Sequence, residues 1–271
     1  MVELKSLRNS KNYFYLNLRE IPYFRALVRS VEAGFYEQMD YCPPLLDLGC
    51  GDGHFASVAF DWKVDVGIDP WRQPILEARQ RGAYCFLVQS DGGRMPFADG
   101  FFGSAISNSV LEHIPHIERV LSEVNRVLKP GAQFVFCVPN PGYLEELSFP
   151  RVFRFLGLSR LGELYRNWFR RMSRVEHAES VDTWKMWLEN AGFILEKSWD
   201  YFSPEALRVL EWGHFFGLPS LVCKKIFGRW LLTSARWNVI PVELLLRHYA
   251  GSFPHPQGTF TFYVARKKNS G

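Results

Sequence analysis

An α/β fold with a doubly wound, mostly parallel sheet is predicted for this chain of 271 residues by three observations. The first is residues 45–56, LLDLGCGDGHFA, where a short apolar strand runs into glycines at alternate positions before a helix begins near His54. The second is Val64-Asp65-Val66-Gly67-Ile68-Asp69, an apolar strand that ends in a carboxylate about 20 residues beyond the glycines, where α/β nucleotide folds place an acid for ribose hydroxyls. The third is the continued alternation of apolar runs (85–88, 103–108, 133–138) with helical periods over 70–81 and 117–128.

The glycine elbow is a ligand-binding signal. Gly49, Gly51 and Gly53 remove the Cβ atoms that keep a bulky ligand off the backbone, and the helix start near His54 offers unpaired N–H donors. Asp47 speaks against a phosphate, because a carboxylate there repels a pyrophosphate but suits a cationic amino group. The spacing fits neither G-x-G-x-x-G nor G-x-x-x-x-G-K-[ST].

Together D-x-G-C-G-x-G at 47–53, G-x-D at 67–69, Asp91 to Phe97 (D-x-x-x-L-P-F with Met95 for Leu) and N-x-V-L-E-H at 108–113 resemble the class I S-adenosylmethionine-dependent methyltransferases. The likeness is to the group acting on small molecules and lipids; it runs from about residue 45 to 140 and resumes near His177. Arg126 to Ala132 follows the family's R-V-L-K-P-G-G with one Gly replaced. The resemblance implies a Rossmann-like seven-stranded sheet in the order 3-2-1-4-5-7-6, strand 7 antiparallel, with S-adenosylmethionine as cofactor and S-adenosylhomocysteine as product. It implies that Asp47, Gly49, Cys50, Gly51 and Gly53 meet the amino-acid part and that Asp69 holds the sugar. Trp71 would lie on the adenine face, Asp91 would accept from the adenine amino group beside Gly92 and Gly93, and Asn108 and Ser109 would edge the methionine moiety. His113 and His177 face the substrate side and are the candidate bases, since imidazole titrates near neutrality. One departure is Gly103, where the family carries Asp after Phe; its loss is expected to weaken a turn more than the chemistry.

Elsewhere, Phe24, Leu27, Val28, Val31 and Phe35 share one face of a helix over 20–38, with Pro22 at its start. Arg25, Arg29 and Glu32 then form a solvated polar side, with Tyr13 or Arg25 able to reach the ligand as the alternative. Within 142–178, Leu161, Leu164, Tyr165, Trp168 and Met172 form an apolar stripe and Arg166, Arg170 and Arg174 a basic one. Ser180 caps a helix that Gly192 stops, a strand follows over 194–199, and residues 259–265 are the last strand. Residues 203–257 are a second insertion, with a helix opening at Pro219 that sets Val222, Ile226, Trp230 and Leu231 opposite Lys225, Arg229 and Arg236. The expected organisation is one domain over 1–271 with cap insertions at 142–178 and 203–257. The caps can rest on an anionic membrane surface, close an acceptor pocket, or thicken the core.

Composition sets the remaining bounds. At 47% hydrophobic and 22% charged the chain is globular, and a net charge of +4 does not by itself point to nucleic acid. No apolar run reaches membrane-span length and no signal peptide is evident, so a cytoplasmic location is expected, with peripheral membrane contact open. Cys42, Cys50, Cys85, Cys137 and Cys223 are scattered, without C-x-x-C spacing, and no metal constellation is seen. Pro139-Asn140-Pro141-Gly142-Tyr143 evokes the N-P-P-Y of DNA amino-methyltransferases but follows the fifth strand rather than the fourth. The expected activity is methyl transfer to a hydrophobic small-molecule or lipid-like acceptor. The alternatives are a non-catalytic cofactor-binding module, a nicotinamide oxidoreductase, which Asp47 disfavours, and a nucleic-acid methyltransferase, for which a continuous basic groove is wanting.

Overall fold

A computed structural model describes residues 11–216, 225–226 and 235–269. Seven strands, β1 (Leu45–Leu48), β2 (Val64–Asp69), β3 (Tyr84–Gln89), β4 (Phe102–Asn108), β5 (Leu128–Pro139), β6 (Phe193–Tyr201) and β7 (Phe260–Lys267), form one sheet. Their order is β3-β2-β1-β4-β5-β7-β6, with β7 antiparallel to both its neighbours and the others parallel, as the resemblance implied. The strand order reverses at β1 and β4, and the connections that leave them in opposite directions open a crevice over their carboxyl ends.

The helices are α1 (Tyr13–Leu18), α2 (Tyr23–Glu37), α3 (His54–Ala59), α4 (Arg72–Arg81), α5 (Ile117–Val127), α6 (Gly142–Glu145), α7 (Ser148–Phe155), α8 (Ser159–Ser173), α9 (Val181–Asn190), α10 (Pro204–Phe216) and α11 (Arg236–Leu246). Residues of α1, α2, α3 and α10 share a buried cluster with one face of the sheet, and those of α5 and α9 with the other. α5 shows why: Ile117, Val120, Leu121 and Val124 recur at helical spacing and are all essentially buried. Each such side chain contributes roughly 1.5–3 kcal/mol. Ser180 caps α9 as expected, its Oγ accepting from Thr183 N.

Three expectations need correction. Arg29 and Glu32 do not lie on a solvated side of α2: Glu32 is fully buried and only Arg25 of the three stays exposed. Of the predicted apolar stripe of α8 only Tyr165 packs on the core; Leu161, Leu164, Trp168 and Met172 are exposed, while Gly162 and Phe169 face the core. Gly162 is buried where α7 crosses, and a Cβ there would stand in ordinary contact with Pro150 at 3.4 Å. The helical period expected to 128 and the strand expected from 133 also meet earlier: α5 ends at Val127 and β5 starts at Leu128, and a register shift opposite Phe102 and Ser104 loops out the proline, which has no N–H to give, and the glycine at φ +73°. The helix expected from Pro219 lies outside the described residues apart from Lys225 and Ile226, both exposed.

Candidate functional site

The elbow after β1 turns through three left-handed glycines, Gly49 at φ +78°, Gly51 at +55° and Gly53 at +74°. The chain there is stapled to β2, with Gly49 N and Cys50 N both donating to Ile68 O. Asp69 at the end of β2 accepts from Gly51 N at 3.1 Å and Trp71 N at 2.9 Å. Burial raises its pKa, against those two N–H groups, which lower it. Trp71 is largely exposed at the rim, and Asp91 Oδ1 accepts from Gly93 N at 2.6 Å.

Gly49, Asp69, Trp71, Asp91, Gly92 and His113 line one cavity of about 1040 Å³ above the carboxyl ends of β1, β2 and β4. The backbone of α8's last turn closes its far side, together with Arg170, Arg171 and Arg174. The other expected residues act from behind this wall. Asp47 is buried, its Oδ2 accepting from Tyr84 OH at 2.6 Å; burial raises its pKa to about 6, with the tyrosine's hydrogen bond opposing. Gly53 packs on Ala78 and Tyr84, and Cys50 is buried with its thiol pKa pushed up by desolvation.

A second cavity, about 630 Å³ and largely apolar, adjoins the first and shares His113, Met172 and Ser173 with it. Phe24, Val28, Tyr143, Leu210 and Phe260 supply apolar walls, and Arg25, Arg29, Ser109 and Glu112 add polar groups. Ser109 sits at φ +50°, an uncommon conformation for a residue with a side chain. Below it Glu32 is a hub: Oε1 accepts from Ser109 Oγ (3.0 Å) and Tyr201 OH (2.9 Å), Oε2 from Asn108 Nδ2 (2.8 Å) and Arg29 Nη1 (3.2 Å). Asn108 therefore braces β4 against α2 instead of lining either cavity.

The two histidines part company. His113 borders both cavities, with Nδ1 at 2.8 Å from Arg174 O. His177 lies outside both linings, its Nε2 at 3.0 Å from Ile114 O and its ring edge-on to Trp187. Sequence reasoning missed Glu32, Arg29 and Glu112. The first two carried a signal in the small residues Ser30, Ala33 and Gly34 around Glu32, which mark a face packed too closely for a solvated acid. Asn140 Nδ2 donates to Gly258 O and Thr261 Oγ1, a structural role that agrees with setting the N-P-P-Y comparison aside.

Residues 46–136 match the family model of a methyltransferase domain. Residues 46–136 are thus a methyltransferase domain, set in a sheet of the class I methyltransferase order. The methyltransferase domain is 31% identical over 108 residues to the malonyl-[acyl-carrier protein] O-methyltransferase of Erwinia pyrifoliae, covering 38% of this chain and 40% of that protein. It is 29% identical over 102 residues to the sterol 4-C-methyltransferase strm-1 of Caenorhabditis elegans, covering 33% and 29%. The matched stretch thus spans less than half the length of these curated relatives. An S-adenosylmethionine-dependent methyltransferase from Thermotoga maritima, described as a possible histamine N-methyltransferase, shares the fold at a TM-score of 0.55 and 16% identity, covering 94% of this chain and 93% of its own.

The residues around the larger cavity of the methyltransferase domain fit its cofactor. Two carboxylates, Asp69 and Asp91, face a space large enough for an amino-acid nucleoside, and Gly49 and Gly92 bring backbone to its wall. Asp69 would hold the sugar hydroxyls, Asp91 the adenine amino group and Trp71 the ring face, while the charge of Asp47 behind the elbow favours a cationic amino group.

Proposed function

We propose that the chain is one methyltransferase domain over 1–271, with caps at 142–178 and 203–257, that methylates a hydrophobic small-molecule or lipid-like acceptor. The supporting observation is the adjoining pair of cavities, a polar one beside Asp69 and Asp91 and an apolar one beyond, meeting at His113. The bound sulfonium supplies a methyl group that is already activated, so the protein has mainly to align the acceptor and exclude water. The relatives named for a malonyl-[acyl-carrier protein] and a sterol acceptor agree in kind with an apolar or carrier-borne substrate. An acceptor-free binding module would have no use for the second cavity, and a nicotinamide enzyme would place a pyrophosphate against Asp47.

Asp69→Ala is the direct test. Loss of charge-assisted hydrogen bonds to two ribose hydroxyls is expected to weaken S-adenosylhomocysteine binding by about 150-fold or more in calorimetry, each bond being worth roughly 1.5–3 kcal/mol. Unchanged affinity in the variant, or a wild-type protein that takes up NAD in preference, refutes the reading.

The outward apolar side of α7 and α8 favours peripheral contact with an anionic bilayer as a second element of this reading. Phe155 is 90% exposed and Leu164 65%, with Arg151, Arg154 and Arg160 exposed on the same two helices. Among the described residues no helix is long and apolar enough to cross a membrane. The protein is expected to float with phosphatidylglycerol-containing vesicles and a Phe155→Asp/Leu164→Asp double variant to stay in the pellet fraction; equal partitioning of the two removes the membrane contact.

A further inference from the structure

We propose that Glu112 is the catalytic base of this site and that the acceptor is an apolar phenol or enol bound in the second cavity. The inference rests on the methyltransferase reading and adds to it the acceptor's reacting group and the residue that receives its proton.

Glu112 is 3% exposed and lines the apolar cavity, and among the described residues its Oε2 has no hydrogen-bond partner. A buried, unsatisfied carboxyl oxygen costs about 1–3 kcal/mol unless a ligand group meets it. Its backbone is held by one neighbouring strap, since Glu112 O accepts from both Glu176 N (2.7 Å) and His177 N (3.1 Å). The strap that brings His177 near the site thus positions Glu112. Burial raises the Glu112 pKa to about 8, countered in part by the Arg29 charge. A base so tuned is matched to an acid that ionises somewhat above neutrality, as phenols and enols do.

The surrounding charges choose among acceptor classes. Around Glu112 are Arg25, Arg29 and Glu32 of α2, Tyr143 of α6 and His214 of α10. The guanidiniums of Arg25 and Arg29 disfavour an ammonium acceptor in the same cavity and favour a developing phenolate. A carboxylate acceptor is already ionised and has no proton for Glu112 to take. In the step itself the acceptor O–H breaks and its proton goes to the Glu112 carboxylate. The oxygen pair forms the new O–CH3 bond, and the electrons of the S–CH3 bond remain on sulfur. His113 Nδ1 donates to Arg174 O, because a carbonyl only accepts, and its Nε2 lies 3.8 Å from Glu112 Oε1, beyond direct hydrogen-bond reach, so the pair makes no direct proton relay.

The test uses the full chain, methyl-labelled S-adenosylmethionine and 4-hexylphenol as probe acceptor. Wild type is expected to label the phenol with kcat/KM rising as pH is raised to about 8 and levelling beyond, as Glu112 loses its proton. Glu112→Gln is expected to lose about 100-fold or more in kcat, along with that pH dependence, and to bind S-adenosylhomocysteine within about twofold of wild type. Folding of the variant is checked by its Tm. The folded state keeps a proton on Glu112 that the unfolded chain loses above the ordinary carboxylate range, so wild-type stability falls as pH rises towards 8; the Tm of the variant is expected to match wild type at pH 4 and exceed it at pH 8. A Glu112→Gln protein with the wild-type rate and pH profile overturns the base. Wild type that binds S-adenosylhomocysteine but leaves 4-hexylphenol unlabelled overturns the acceptor class alone, and failure to bind S-adenosylhomocysteine overturns the underlying reading instead.

Discussion

Glu32→Ala is expected to destabilise the fold by about 3–5 kcal/mol, read as a lower urea midpoint at constant slope. The carboxylate is fully buried and takes hydrogen bonds from four side chains on α2, β4, the residue after β4, and β6. Truncation leaves Arg29 without its carboxylate partner and strands three further donors. Because Ser109 is among them, the floor of the acceptor cavity should loosen with the fold. Glu32→Gln should lie between the two, since the amide oxygen keeps Tyr201 and Ser109 while its NH2 group confronts Asn108 Nδ2 and Arg29. A midpoint for Glu32→Ala within 0.5 kcal/mol of wild type, a shift of the size that ordinary surface substitutions give, contradicts the hub.

Gly103→Asp should cost about 3 kcal/mol or more, although aspartate is the residue that the resemblance leads one to expect there. A Cβ at this position would stand 2.5 Å from Cys42 O and 2.6 Å from Pro43 O, both backbone atoms with little room to give. Gly103 N also donates to Pro44 O at 2.9 Å, which holds the segment leading into β1 across the start of β4. The departure from the family is therefore a close approach between two backbones, and the expectation of a weakened turn is replaced by a packing contact. Thermal melts in which Gly103→Asp equals wild type would mean that the two segments can separate freely.

Much of the frame was legible in the chain. The strands 64–69, 84–89 and 102–108 came within a residue or so of where apolar runs placed them, and the elbow came with its three positive φ angles. Trp71, Asp91 and Gly92 fell on the cavity wall together with Gly49 and Asp69, because strand ends and the turns that follow them are defined by short segments. Polar faces read less well. Arg29 and Glu32 have the same spacing as a solvated i,i+3 ion pair, and only the small residues Ser30, Ala33 and Gly34 beside them hint that the pair is folded under β4. The stripe on α8 was misplaced for the same reason, since hydrophobicity identified the amphipathic helix but packing against α7 and the core, which buries Gly162 and Phe169, is not local.

Alternating apolar periods and left-handed glycines specified the sheet, the crevice and the cofactor wall without reference to anything distant, because backbone conformation and strand direction are set within a few residues. Whether a charged side chain meets water depends on which other segment covers it. That is why the buried hub at Glu32, the outward apolar side of α8 and the unpaired carboxyl of Glu112 became visible only when helices far apart in sequence were packed against the strand ends.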